Sequence, residues 1–79
     1  MRAIILYKLG INVIKKVIEE LKAIPEIKKV MSLTGDYDLL AEIEVETSEQ
    51  LFDIFSEKID LIQGITVSNT HVIMKSWEK

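Results

Sequence analysis

Side chains able to do chemistry fall in three places along the chain. His71 is the only histidine and there are no cysteines, so no set of thiolates and imidazoles exists to hold a transition metal. A lone histidine in a strand reads first as a face or interface residue, and as a base only if a substrate sits beside it. Glu42, Glu44 and Glu46 occupy alternate positions and would line one side of a strand, where they form either a cation or carboxylate-pair site or, as the alternation favours, a solvated face. No nucleophile is paired with a base at an informative spacing. The third place is Thr34-Gly35-Asp36-Tyr37-Asp38, which carries more polar groups than a tight hairpin needs. Such loops on a rigid sheet often carry function. The alternative is a hairpin whose Asp side chains only satisfy their own backbone, and residue types alone leave both readings standing.

The three glycines are Gly10, Gly35 and Gly64, and none stands in a strand-to-helix loop with the spacing that cradles phosphate. No cofactor is implied. A net charge of −3 with Lys and Glu interleaved argues against a nucleic-acid partner. An RNA-binding sheet would also need stacked aromatics, for which Tyr7 and Trp77 are too few.

With 79 residues there is room for one domain, residues 1–79, which removes only about 60% of its unfolded surface from water. Without disulfides, self-association is the remaining source of burial. No stretch approaches the roughly 20 apolar residues of a membrane span, and the apolar start is too short for a secretory signal. A cytoplasmic protein is expected.

Elements follow from periodicity. Residues 2–8 form an apolar run in which Ala3, Ile5 and Tyr7 lie on one face and Ile4 and Leu6 on the other, so both faces of this strand need cover. Asn12 is placed to cap a helix with Val13, Ile14, Val17, Ile18 and Leu21 at helical spacing, ended by Pro25. A second strand is expected over 29–34, with Met31 and Leu33 on one side. The clearest strand is 39–46, in which Leu39, Ala41, Ile43 and Val45 alternate with Leu40 and the three glutamates. Thr47 and Gln50 have capping-box spacing, opening a helix with a stripe of Leu51, Phe52, Phe55, Ile59 and Ile62, and Gly64 suits its end. A last strand is expected over 65–76.

This order, βαββαβ, is an α+β ferredoxin-like arrangement: a four-stranded antiparallel sheet with two helices on one face. Two helices cannot cover both faces, so apolar residues left on the open face mark a protein interface. A homodimer with sheets packed together is expected.

Ile24-Pro25-Glu26-Ile27-Lys28-Lys29-Val30, then Thr34-Gly35-Asp36-Tyr37-Asp38-Leu39-Leu40, and finally Gly64-Ile65-Thr66-Val67-Ser68-Asn69-Thr70 resemble the effector-binding (RAM) domain of the Lrp/AsnC transcription regulators. Nearly the whole chain fits. The sequence starts at the first strand of that domain, so the expectation is a stand-alone version without the helix-turn-helix domain of full-length members. The resemblance implies a dimeric α+β sandwich or barrel, dimers gathered into an octamer or decamer, and a free amino acid or related metabolite bound where dimers meet, with a full-length regulator as a further partner. It also implies site residues: Gly35, Asp36, Tyr37 and Asp38 toward the ligand's amino and carboxylate groups, Ser68 and Thr70 as hydroxyl donors, and Met31 and Leu33 as apolar wall. Asp38 either pairs with an ammonium group or holds the turn through backbone N–H bonds. The domain would regulate transcription of amino-acid metabolism without catalysis. Two alternatives remain: a small dimeric ferredoxin-like enzyme using His71 or an acidic residue as base, and an oligomerisation module with an empty turn.

Overall fold

The apolar N-terminal run forms strand β1, Arg2–Leu9, a central strand with neighbours on both sides. In this computed structural model, which describes all 79 residues, the chain continues through helix α1 (Ile14–Lys22), β2 (Ile27–Ser32), β3 (Leu39–Glu44), helix α2 (Ser48–Glu57), a 3-10 turn (Ile59–Leu61) and β4 (Ile65–Val72). The sheet order is β2-β3-β1-β4 and every pairing is antiparallel. This is the expected ferredoxin-like α+β fold. No helix is long and apolar enough to cross a membrane.

One face of the sheet is closed by the helices. Ala3, Ile5 and Tyr7 of β1, Leu39, Ala41 and Ile43 of β3, and Val45 just after it, are buried there with Val17 and Leu21 of α1, Ile54 of α2 and Ile59. The alternation read in 39–46 is therefore the core face of β3. Its ladder stops at Glu44, but Val45 stays tied in through its N–H to the Met1 carbonyl at 2.9 Å.

Helix α2 opens with the expected cap: Thr47 Oγ1 accepts the Gln50 N–H at 3.1 Å, and Gln50 Oε1 accepts the Glu46 N–H at 2.8 Å. Its stripe differs from the expectation at one residue. Phe52 is 69% exposed and Ile54 is buried instead. The cause is a change of winding, since the α-helix ends at Glu57 and Ile59 enters the core from a 3-10 turn with a different angular step per residue.

Helix α1 buries Val17 and Leu21, half-buries Val13 and Ile18, and leaves Ile14 exposed. Asn12 is not its cap. Val13 holds that position with no side-chain bond, and Asn12 adopts φ +61°, a left-handed conformation that Asn tolerates better than most residues. Gly64 explains why the chain turns so tightly here: at φ +107°, a Cβ on it would stand 2.9 Å from Val13 Cγ2, and its carbonyl accepts the Gly10 N–H at 2.8 Å.

Both edge strands differ in extent from the reading of the sequence. β2 begins at Ile27 rather than 29, because an irregularity between Ile27 and Lys29 breaks the two-residue period and leaves Lys28 and Lys29 both exposed. It ends at Ser32, so Leu33 and Thr34 belong to the turn. β4 ends at Val72, opposite Ala3. Only one further ladder bond follows, Ile73 N–H to the Arg2 carbonyl, because β1 has no residues left to pair.

Candidate functional site

The turn between β2 and β3 is held at three points. The Leu33 N–H donates to the Asp38 carbonyl at 2.9 Å and closes the hairpin; the Asp38 N–H donates to the Tyr7 carbonyl at 2.8 Å. The third bond uses a side chain, with Asp38 Oδ2 accepting the Leu9 N–H at 2.8 Å. β3 starts at Leu39 opposite Tyr7, so Leu9 lies past the end of the β1–β3 ladder and its donor on that side would otherwise be unmatched. A carboxylate there supplies a charge-assisted bond.

Within this frame Thr34, Gly35 and Asp36 are exposed, and their backbone and side-chain groups make no hydrogen bond within the chain. Gly35 takes φ +97° with open space around it, a conformation that favours glycine. Leu33, at 37% exposure, flanks these three residues.

Tyr37 points across the sheet. Asn69 Nδ2 donates to its hydroxyl, and Lys8 Nζ stands 5.5 Å from the ring centroid, within cation–π range. Asn69 pairs with Leu6 in the β1–β4 register, which puts it on the face away from the helices. Asn69 was not foreseen. The available signal was its position between Ser68 and Thr70, which strand alternation assigns to the opposite face.

Ser68 and Thr70 pair with Tyr7 and Ile5, on the helix side of β4. There they border a groove of about 400 Å³ with Ser48, Leu51, Phe52 and Phe55. A single chain therefore does not bring Ser68 and Thr70 together with the turn. Met31 is half-buried on the open face opposite Leu40. None of the four clefts of the isolated chain includes Gly35, Asp36, Tyr37 or Asp38.

The open face itself is built in rows. His71, Ile4, Glu42 and Lys29 lie across it in register, and beside them Asn69, Leu6, Leu40 and Met31. Ile4, Leu6, Leu40 and Met31 form an apolar centre with charged residues at its margin, and no helix lies over it. His71 is exposed on the β4 edge of this face and makes no hydrogen bond within the chain.

A ferredoxin-like sheet with a bare apolar face and an exposed polar turn anchored at both ends fits a small ligand-binding regulatory domain. The chain belongs to the Lrp/AsnC ligand binding domain family, whose model matches residues 2–79. It is 34% identical over 76 residues to the HTH-type transcriptional regulator FL11 of Pyrococcus horikoshii, a match covering 96% of this chain and 50% of that protein. It spans about half the length of the curated regulators it matches. It is also 34% identical over 59 residues to the homocitrate synthase of Sulfurisphaera tokodaii, covering 75% of this chain and 13% of that enzyme. Among solved structures, the hypothetical protein PHS023 from Pyrococcus horikoshii superposes with a TM-score of 0.85 at 31% identity, covering 94% of this chain and 90% of that one. The Neisseria meningitidis transcriptional regulator NMB0573, in its L-Met complex, superposes at 0.90 with 14% identity over 99% of this chain and 52% of that one, a likeness of fold.

Proposed function

We propose that this domain senses a free amino acid or a related small metabolite, without catalysis, at a site completed when copies of the chain assemble. The observation that carries the reading is the turn: residues 34–36 are bracketed by the bonded Leu33 and Asp38, yet their own hydrogen-bonding groups are unused. Donors and acceptors left open between two anchored ends are available to a small polar ligand, at less ordering cost than in a free loop. Both an ammonium and a carboxylate group find partners there, the former at Asp36 and the unused Asp38 oxygen, the latter at the peptide N–H groups beside Gly35.

The turn lines no cleft in the single chain, which supports a ligand site closed by a neighbouring copy. Sheet-to-sheet dimers formed through Ile4, Leu6, Leu40 and Met31 are the first step of that assembly, and dimers then meet at the turns in a ring. In such an assembly Ser68, Thr70, Met31 and Leu33 reach the ligand from other copies. Effector binding then acts by linkage, favouring whichever assembly it binds more tightly. The complex of the Neisseria regulator with L-Met supports the ligand class. The match to part of an enzyme, as well as to regulators, supports a sensing module whose output depends on what it is joined to or assembled with. For this chain, control of transcription in amino-acid metabolism is the output proposed.

The test is a thermal-shift screen against the twenty amino acids. A ligand present at about 1,000 times its dissociation constant adds roughly 4 kcal/mol to the folded state. A shift confined to a few amino acids, and reduced by Asp36→Ala, is expected. Absence of any shift in a chain that melts within range rules the amino-acid reading out.

A further inference from the structure

Beyond its last ladder bond, at Ile73, the chain continues through residues 74–79 without packing on its own domain. Met74 is 96% exposed and Trp77, the only tryptophan, is 80% exposed. Large apolar side chains held this far into water mark a surface meant for cover. Alternation gives Trp77 its direction and sends Met74 to the other side. Asn69, His71 and Ile73 alternate onto the open face of the sheet, and continued extension carries Lys75 and Trp77 to the same side. Lys75 Nζ stands 5.4 Å from the Trp77 ring centroid, as same-side neighbours in an extended segment do.

Area identifies the occupant. Four strands about 4.8 Å apart and six residues long present roughly 400 Å² of face, so two faces together bury about 800 Å², short of the 1,200–2,000 Å² of a stable interface. One buried tryptophan adds about 200 Å², and two, one from each copy, bring the total to about 1,200 Å². Reach agrees, since the four residues from Ile73 to Trp77 extend about 13 Å and stacked sheets lie about 10 Å apart. We infer that residues 74–79 form a strap that crosses to a second copy of this chain and seats Trp77 against the rim of that copy's sheet face. The inference rests on the sheet-to-sheet dimer proposed above and adds to it the element that makes the dimer stable.

The lone tryptophan reports its own burial. Sedimentation equilibrium and tryptophan emission are measured together over a dilution series for the unmodified chain, with sedimentation alone for Trp77→Ala and both for Leu6→Lys, each variant's fold being checked by circular dichroism. A strap predicts blue-shifted emission in the dimer that reddens as the dimer dissociates. It also predicts dissociation constants raised roughly thirty-fold by Trp77→Ala, as for a tryptophan hot spot, and raised at least as far by Leu6→Lys. If Leu6→Lys dissociates the dimer while Trp77→Ala leaves it within two-fold, or if the dimer emits like a solvated indole, the strap is wrong and the sheet interface stands. A chain that stays monomeric at every concentration, or a dimer insensitive to Leu6→Lys, overturns both.

Discussion

The carboxylate of Asp38 accepts the backbone N–H of Leu9 at 2.8 Å, across 29 positions of sequence. That bond couples the β2–β3 turn to the end of β1 at a point where the ladder between β1 and β3 has already stopped. Two roles were open for this side chain, holding the turn or meeting an ammonium group. One oxygen performs the first and the other is left free, so in the proposed site the two roles are compatible.

Asp38→Ala removes a charge-assisted acceptor and leaves the half-buried Leu9 donor unmatched, a loss of about 1.5–3 kcal/mol. Asp38→Asn keeps an oxygen in place and costs less. Urea denaturation measures both values, and faster amide exchange at Leu9 in Asp38→Ala locates the effect. Equal stability of all three chains would mean the bond contributes nothing to folding.

Much of this fold was legible because local signals agreed with tertiary demands. The alternation of Leu39, Ala41, Ile43 and Val45 is the core face of β3, and the Thr47–Gln50 spacing is a working cap. What stayed hidden was decided by partners elsewhere in the chain. β4 stops where β1 runs out, not where its own β-forming residues do. A bulge conceals the start of β2 behind two exposed lysines. The contact of Tyr37 with Asn69 joins positions 32 apart, and nothing local in either segment announces it. The separation of Ser68 and Thr70 from the turn was readable from alternation, but only once the register with β1 was known.

Gly35 and Gly64 both take positive φ, at +97° and +107°, but only Gly64 is crowded, by Val13. Alanine at Gly35 pays the left-handed backbone cost alone, about 1 kcal/mol. At Gly64 the clash with Val13 Cγ2 adds an overpacking penalty of about 1–3 kcal/mol. Thermal denaturation should therefore rank Gly64→Ala well below Gly35→Ala. A reversed order would mean that the loop carrying Gly64 yields freely. Because Gly35→Ala leaves the fold nearly intact, any loss of ligand response it causes reflects the turn's shape rather than unfolding.

Tyr7 is fully buried in the core, and its hydroxyl has no hydrogen-bond partner. Burial pushes the phenol well above its ordinary value of 10.0, since the phenolate would lose its water. The folded state thus holds Tyr7 neutral, while the unfolded chain ionises above pH 10. The stability linked to this group is fully present below that pH and is lost as pH rises toward the higher folded value. At pH 11 the loss amounts to about 1.4 kcal/mol. Tyr7→Phe removes both the orphaned hydroxyl and the titration. At pH 7 the variant should be at least as stable as the unmodified chain, because an unmatched buried hydroxyl costs about 1–3 kcal/mol. Between pH 7 and pH 11 its advantage should widen by the alkaline loss it escapes. Urea denaturation at the two pH values tests both statements. A Tyr7→Phe chain that is weaker at pH 7 would show that the hydroxyl has a partner in solution, an ordered water or a group from a neighbouring copy. A gap that does not widen with pH would show that the phenol ionises in the folded chain near its ordinary value.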